Sequence, residues 1–303
     1  MNVNAIKKKR KHKDNASALL MILPALLLLT IFVFIPLIMA IFRSLYNFGS
    51  GEPSSFIGFS NYIKILKNSV FIQSLKNVLV LTAVITIVEV VLAFLFAHVL
   101  VRIKGKYGIF VRTIIYLPYL ISGIVVSVIF TLMTTYNGGI INSILAIFDK
   151  NPIAFNNDVF WSPLSIIIPT IWIGFGYNTL VMYSGLINVP KDYYEAAQID
   201  GAGFWASMFH ITLPCMKNYF ILLIVTLVVA NLQMYEIPMM MTNGQPANRT
   251  MTPVLYLMHS RSNGNISDSE ITAAALLIMI IILIINSAVF SLFKTKKKDS
   301  WEM

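Results

Sequence analysis

Long runs of apolar residues, separated by short polar segments, dominate the chain. A helix needs roughly 20 apolar residues to cross the hydrocarbon core of a bilayer. Because a helix satisfies its own backbone hydrogen bonds in lipid, the pattern predicts an all-α membrane protein built as a six-helix transmembrane bundle. The six runs that meet the length requirement lie at about 17–43, 72–101, 110–135, 161–188, 217–241 and 271–293.

The composition fits this pattern. Of the 303 residues, 57% are hydrophobic and 12% are charged, whereas a soluble domain has about 25% charged residues. The membrane domain would extend over 17–293, with a basic arm at 1–16 and a basic tail at 294–303. The first apolar run follows basic residues, as in a signal peptide, but it is too long for one and no small-residue cleavage site follows it. We therefore expect an uncleaved first span.

Basic residues indicate the orientation of the spans. The net charge is +10, and the runs KKKRKHK (7–13) and KTKKK (294–298) hold ten of the 23 Lys and Arg residues. Such runs bind nucleic acid in some soluble proteins, but each run here abuts an apolar stretch, as the cytoplasmic flank of a span does. With the N-terminus inside, sixteen Lys and Arg fall on the cytoplasmic side and seven outside. Six spans then place both termini, and the segment 190–214, in the cytoplasm.

Motifs for catalysis, metal binding and nucleotide binding are missing from the sequence. Cys215 is the single cysteine, and the four histidines are far apart, so we assign no metal site. There is no GxxxxGK(S/T) sequence to bind ATP, and neither GxSxG nor HExxH is present. We therefore expect no catalytic residues and no cofactor bound by this chain.

Polar and aromatic residues interrupt the fourth and fifth apolar runs. The fourth contains PTIWIGFGYNTLVMYSG, with Thr170, Tyr177 and Asn178, and the fifth contains VVANLQMYEIPMMM, with Asn231 and Gln233. Rings beside amides and hydroxyls suit a sugar, whose C–H faces stack on rings while its hydroxyls form hydrogen bonds. Small and polar residues also hold membrane helices together, and the pattern by itself favours neither interpretation.

One ionisable residue, Glu89, falls near the centre of the second apolar run. Ionisable residues at this depth are costly and usually face protein or water. A protonated or hydrogen-bonded packing residue is one interpretation, and a functional carboxyl group is the other. The spans place no His, Lys or Arg at a similar depth to form a proton relay with Glu89, which argues against an ion-coupled carrier.

The segment 190–214, PKDYYEAAQIDGAGFWASMFHITLP, is unusually polar for this chain. Pro190 can occupy the first turn of a helix, where its missing N–H costs nothing. Gly201 and Gly203 can end that helix with a left-handed turn, and Pro214 breaks or kinks the next helix. We expect a helix–turn–helix on the cytoplasmic face, which either inserts into a groove on a partner or lies in the membrane interface.

The spacing of residues in this segment resembles the EAA signature of ABC-importer permeases. Glu195-Ala196-Ala197 is followed by Gly201, then Ile211 and Leu213-Pro214, at every fixed position of that signature. The longer stretch is similar to the carbohydrate branch of the family, the MalF/UgpA-like, binding-protein-dependent permeases. NGQP stands where the family often has Gly-Gly-Pro. Further stretches that agree with the family lie at 56–66, 116–126, 137–145 and 241–246.

The resemblance implies the type I ABC importer permease fold, in which the segment 190–214 is a cytoplasmic coupling helix. In such a protein the coupling helix seats in a groove of a separate ATPase subunit, which binds the ATP. Glu195 would pair with a basic group there, Ala196 and Ala197 would allow a close fit, and Gly201 would set the turn. The coupling residues implied are Glu195, Ala196, Ala197, Asp200, Gly201, Ile211, Leu213 and Pro214.

The resemblance also implies partners and a substrate path. The partners would be a second, related permease, two copies of the ATPase and an external solute-binding protein, in a bacterial cell membrane. The substrate would be a sugar or oligosaccharide. By local alignment to the maltose permease, its contacts fall on Thr170, Gly174, Tyr177, Asn231 and Met234.

Three other functions remain as alternatives. A permease for another solute, such as glycerol phosphate, would need a basic residue within a span to bind the anion, and the sequence shows none. An ion-coupled carrier acting alone would leave the segment 190–214 unexplained. An intramembrane enzyme would need paired catalytic groups, which the sequence does not offer.

Overall fold

The computed structural model describes residues 20–48, 55–264 and 266–293. The basic arm at 1–16 and the basic tail at 294–303, expected from the sequence, lie outside the described residues. Helices account for most of the described residues. They are α1 (Leu20–Ser44), α2 (Ser60–Lys67), α3 (Ser69–Arg102), α4 (Gly105–Tyr116), α5 (Gly123–Thr134), α6 (Ile140–Ile147), α7 (Trp161–Ile187), α8 (Lys191–Ile199), α9 (Phe204–Ser207, Met208–Thr212 and Leu213–Cys215 in succession), α10 (Lys217–Leu232), α11 (Glu236–Met241), α12 (Pro253–Asn263) and α13 (Asp268–Phe293).

The chain divides into two compact units. The first comprises Met1–Ile65 with Gly264–Leu277, and the second comprises Leu66–Asn263 with Ile278–Met303. A short antiparallel ribbon of β1 (Tyr46–Asn47) and β2 (Ser55–Phe56) belongs to the first unit. Both candidate functional regions belong to the second unit.

Hydrogen bonds hold the first unit together around the end of α1. The buried Asn61 side chain donates to the backbone carbonyl of Ser44 at 2.8 Å, and the hydroxyls of Ser44 and Tyr62 are 2.7 Å apart. Lys64 Nζ lies 2.9 Å from Glu270 Oε1 in an ion pair. The start of α13 is thereby joined to α2.

Five described helical segments are long and apolar enough to cross a membrane, and they begin and end within a few residues of predicted runs. One of them, Lys217–Met241, comprises α10 and α11 together. The remaining run, 110–135, departs from the single helix expected there. The segments Gly105–Leu120 and Gly123–Thr134 are bent by 94° relative to each other. A 3₁₀ turn, Leu117–Leu120, contains Pro118 and precedes the bend. Extended backbone at Ile121 and an N-cap at Ser122 then start α5 in a new direction, so the chain has six candidate spans if the bent pair counts as one.

Helices α3, α7 and α10 form the core of the second unit. Ala93 and Ala97 on α3 are fully buried in the cluster that these helices share, and a methyl group added to Gly185 on α7 would lie 2.8 Å from the ring of Tyr219 on α10. Small residues thus let these helices approach closely, as they do in membrane bundles. A methyl group added to Gly176 would collide with the backbone carbonyl of Ile115 on α4. We call the main buried cluster the inner cluster, which comprises Ala93, Ala97, Met182, Val189, Met216, Leu223 and Leu227.

Candidate substrate cavity and coupling segment

A cavity of about 620 Å³ lies between α3, α7, the end of α10, the start of α11 and the bend after α4. Its wall mixes aromatic, amide, hydroxyl and carboxyl groups with apolar ones. The residues that line it are Glu89, Tyr119, Gly123, Thr170, Ile173, Gly174, Tyr177, Asn178, Thr226, Leu227, Ala230, Asn231, Gln233, Met234, Tyr235, Glu236 and Ile237.

All five residues predicted for the substrate path line this cavity. Thr170, Gly174 and Tyr177 follow one another along one side of α7, because they are spaced by four and three residues. Asn231 is buried at the end of α10, and Met234 lies in the break between α10 and α11. The structure therefore brings together two stretches that are about 60 residues apart in the sequence.

Some of these polar groups already have protein partners. The Thr170 hydroxyl donates to the carbonyl of Ile166 at 2.7 Å, one turn earlier in the proline-containing helix α7. Asn231 Nδ2 donates to Thr86 Oγ1 on α3 at 3.4 Å, a long contact. The Asn231 amide therefore keeps hydrogen-bonding capacity that a solute in the cavity can use.

Two tyrosines form an aromatic surface in the cavity. The rings of Tyr119 and Tyr177 stack with their centroids 4.7 Å apart and 13° between their planes. Tyr119 lies in the 3₁₀ turn before the bend, and sequence reasoning did not select it. The sequence pointed to Tyr119 only through the stretch 116–126, which resembles the permease family. Because a single straight helix was expected there, the sequence did not indicate that the Tyr119 ring faces Tyr177.

Glu89, whose role the sequence left open, also lines the cavity. Its side chain is only 2% exposed, and its Oε2 atom has no hydrogen-bond partner among the described residues. Its other oxygen sits against Gly174, where an added methyl group would collide with Glu89 Oε1. Gly174 thus contributes space for this carboxyl group on the facing helix.

Asn178 lies next to this carboxyl group on α7. The same added methyl group on Gly174 would be 3.0 Å from Asn178 Nδ2. Asn178 is 1% exposed, and its Nδ2 atom likewise lacks a partner among the described residues. A buried donor and a buried acceptor without partners are costly, and both belong to residues of the cavity wall.

A second carboxyl group, that of Glu236, enters the cavity wall at the first residue of α11. A methyl group added to Gly123 would lie 2.5 Å from Glu236 Oε2. The wall thus contains two glycines, each of which makes room for a carboxyl group from another helix. The lining residues include no Lys, Arg or His.

The segment 190–214 forms the helix–turn–helix that its sequence predicts, and we call α8, the turn at 200–203 and α9 the elbow. Gly201 ends α8 with a φ of +77°. The N–H of Gly201 donates to the carbonyl of Gln198 at 3.1 Å, and the N–H of Ala202 donates to that of Ala197 at 2.8 Å. These two bonds and the left-handed glycine define a Schellman motif.

Most of the predicted coupling residues are on the surface of the elbow. Glu195, Ala196, Asp200, Gly201 and Pro214 are exposed, whereas Ala197, Ile211 and Leu213 are half-buried. Large apolar side chains are exposed beside them, with Ile199 88% and Trp205 69% exposed. The other members of this apolar surface are Phe204 and Phe209.

The elbow is anchored in the helix core. The hydroxyls of Tyr194 on α8 and Thr212 on α9 are 2.9 Å apart. Tyr194 and Ile211 pack against the inner cluster, which includes Ala93 and Met182 from α3 and α7. A force on the elbow therefore reaches the helices that line the cavity through direct contacts.

The described residues offer no metal centre. Across 20–48, 55–264 and 266–293, no group of three or more His, Cys, Asp or Glu side chains is placed to hold a metal ion.

The second unit thus combines long apolar helices, a cavity lined by apolar and polar groups, and an exposed elbow that contacts the helix core. Residues 89–297 match the family model of the binding-protein-dependent transport system inner membrane component. The match covers more than half of the chain, which therefore belongs to this family of transport permeases.

Similar proteins extend the comparison. The lactose transport system permease protein LacF of Rhizobium radiobacter is 32% identical over 78% of this chain and 80% of its own length. The trehalose/maltose transport system permease protein MalF of Thermococcus litoralis is 29% identical over 82% of this chain and 84% of its own length. A crystal structure of a bacterial ABC transporter involved in the import of the acidic polysaccharide alginate has a chain with a TM-score of 0.80 and 23% identity. The match covers 95% of this chain and 98% of that one, and it shows the same fold.

Proposed function

We propose that the chain is the permease subunit of an ABC importer and forms part of the translocation path for a sugar or oligosaccharide. The observation that carries the proposal is the cavity in which all five predicted path residues meet beside the stacked tyrosines Tyr119 and Tyr177. Aromatic faces bind the C–H faces of a sugar, while Asn231 and the carboxyl groups take its hydroxyls. The lactose and trehalose/maltose systems of the similar permeases support the same solute class.

The elbow is the part that an ATPase subunit moves in this proposal. Exposed Glu195 pairs with a basic group of the ATPase, and the apolar surface around Trp205 fills a groove. ATP binds to that partner, so this chain needs no nucleotide site, cofactor or catalytic residue of its own. The contacts of Tyr194 and Ile211 with the inner cluster transmit the motion to the cavity.

Membership of the binding-protein-dependent permease family supports the assembly in this proposal. A binding protein outside the cell delivers the solute, a second permease completes the path, and two copies of the ATPase act on the two elbows. Both termini lie in the cytoplasm of a bacterial cell, because the distribution of Lys and Arg favours that orientation.

The alternatives explain less of the structure. A permease for glycerol phosphate or a similar anion would place a negative charge in a cavity that has two carboxyl groups and no basic lining residue. An ion-coupled carrier acting alone would have no use for an exposed apolar elbow anchored in the core.

Uptake by reconstituted vesicles tests the proposal. The vesicles contain this chain, its second permease, the ATPase and the binding protein, with labelled oligosaccharides outside and with or without ATP inside. We expect ATP-dependent uptake that Glu195→Lys abolishes without loss of membrane insertion. Asp192→Lys is the matched control, because it makes the same charge change one turn earlier on α8 and lies outside the signature. Uptake that follows an ion gradient and ignores ATP would contradict the proposal.

A further inference from the structure

We propose that Glu89 and Asn178 form a specificity site in the cavity, which binds saccharide hydroxyls and makes this subunit select uncharged saccharides over anionic ones. This inference rests on the proposed function, since it describes the substrate class of the same cavity. A similar fold serves an importer of an acidic polysaccharide, so the fold by itself does not set the preference for charge.

The two side chains are buried and keep polar atoms that hydrogen-bond to no described residue. Glu89 and Asn178 are almost fully buried, yet Glu89 Oε2 and Asn178 Nδ2 have no partner among the described residues. Leaving such groups unsatisfied costs free energy, so folded proteins seldom keep them without a reason. A saccharide hydroxyl can supply what both atoms lack, because it donates to a carboxyl oxygen and accepts from an amide. Both atoms are closed off in this structure, so in this proposal the two side chains turn toward the solute when it binds.

Glu89 and Asn178 lie close together in the cavity wall. Both side chains adjoin Gly174, and both line the cavity that contains the stacked tyrosines. Gly174 has no side chain of its own, so the carboxyl group of Glu89 occupies the space that a β-carbon on α7 would fill. The site is thus built into the contact between α3 and α7.

The charge of the cavity wall also favours an uncharged solute. The lining residues include the carboxyl groups of Glu89 and Glu236 and no cationic side chain. A carboxylate, sulfonate or phosphate on the solute therefore meets carboxyl groups and no cation in this wall. It would also lose its water in the cavity without gaining a cationic partner, which is costly for a charged group.

Pairs of ligands that differ only in charge test the inference. Maltobionate and lactobionate each carry a carboxylate, and maltobionamide and lactobionamide replace it with a neutral amide of nearly the same shape. Binding of these four compounds, maltose and lactose to the purified complex of both permeases and the ATPase is measured without the binding protein. The selectivity observed then belongs to the membrane subunits.

We expect the wild-type complex to bind at least one amide about tenfold or more tightly than its carboxylate, a typical effect of one charged or unsatisfied buried group. Glu89→Gln should reduce this ratio severalfold, because the new amide can donate to an anionic group. Asn178→Asp is the second variant, and it should raise the ratio because it adds a carboxyl group at the same place. Asp149→Asn, which removes an exposed carboxyl group outside the cavity, should leave the ratio unchanged.

Equal binding of amide and carboxylate to the wild-type complex would overturn the inference. So would a ratio that neither Glu89→Gln nor Asn178→Asp changes, or ATP-dependent saccharide uptake by a complex that binds none of the probes. Each of these results leaves the importer function intact. Loss of ATP-dependent uptake of every saccharide tested would instead contradict the proposed function itself.

Discussion

A methyl group added at Gly201 should perturb the turn of the elbow and leave the rest of the protein unchanged. Gly201 has a φ of +77°, in the left-handed region, and a β-carbon there would meet no atom within 4 Å. The cost of Gly201→Ala is therefore conformational and does not come from a clash. Gly203, two residues later, has a φ of −78° and equally open surroundings, so Gly203→Ala is a matched control.

The size of the effect follows from the backbone. Placing an L-residue in the left-handed region costs roughly 1–2 kcal/mol. Gly→Ala at a compatible position instead stabilises by about 0.4–1 kcal/mol, because the unfolded chain loses freedom. At Gly203 this gain is offset, because Gly203 is the N-cap of α9 and alanine is a poorer N-cap than glycine. Gly203→Ala should therefore be close to neutral, whereas Gly201→Ala should shift the elbow away from its Schellman turn by a factor of about 5 to 30.

Coupling of ATP hydrolysis to uptake is the assay. In the reconstituted vesicles we expect Gly201→Ala to reduce the amount of sugar imported per ATP hydrolysed, because α9 no longer keeps its place relative to α8. Membrane insertion should stay normal, and Gly203→Ala should match the wild type. If the two variants gave the same coupling ratio as the wild type, the turn geometry would have no role in transmission and the reasoning would be refuted.

Three further predictions concern the core, the elbow and the cavity. Gly176→Ala pushes a methyl group into the backbone of α4, so the free energy of unfolding should fall by about 1–3 kcal/mol, which a thermal melt of the complex would show as a lower Tm. Tyr194→Phe removes the 2.9 Å contact across the elbow and should lower coupling modestly, by the equivalent of about 1 kcal/mol, as hydrolysis and uptake measured together will show. Tyr177→Ala or Asn231→Ala should change sugar affinity in binding titrations while the complex still assembles on size-exclusion chromatography. Unchanged affinity in both variants would show that the cavity is not the path.

The residues predicted for the substrate path show how much a local sequence pattern can predict. Thr170, Gly174 and Tyr177 were predicted from the resemblance to the maltose permease, and their spacing of four and three residues is also what places them on one side of a helix. Tyr119 could not be placed in this way, because its direction depends on the 94° bend after α4. Pro118 gave a signal for a break, but an interior proline is also compatible with a continuous helix, as Pro169 inside α7 demonstrates.

The sequence by itself determined the features that depend on neighbouring residues. Apolar length specified the candidate spans, since the bilayer sets how long a helix must be. Gly201 specified the left-handed end of α8, since glycine adopts that conformation at a lower cost than a residue with a β-carbon. Both depend on properties that extend over a few turns of chain.

Only the tertiary structure decided where the side chain of Glu89 lies. Its sequence neighbours are apolar, and they are equally compatible with a packing residue and with a functional carboxyl group. Its place in the cavity depends on the missing side chain of Gly174, which lies 85 residues later on a different helix. Contacts of this kind come from how helices pack, and packing is a property of the whole fold that no local pattern records.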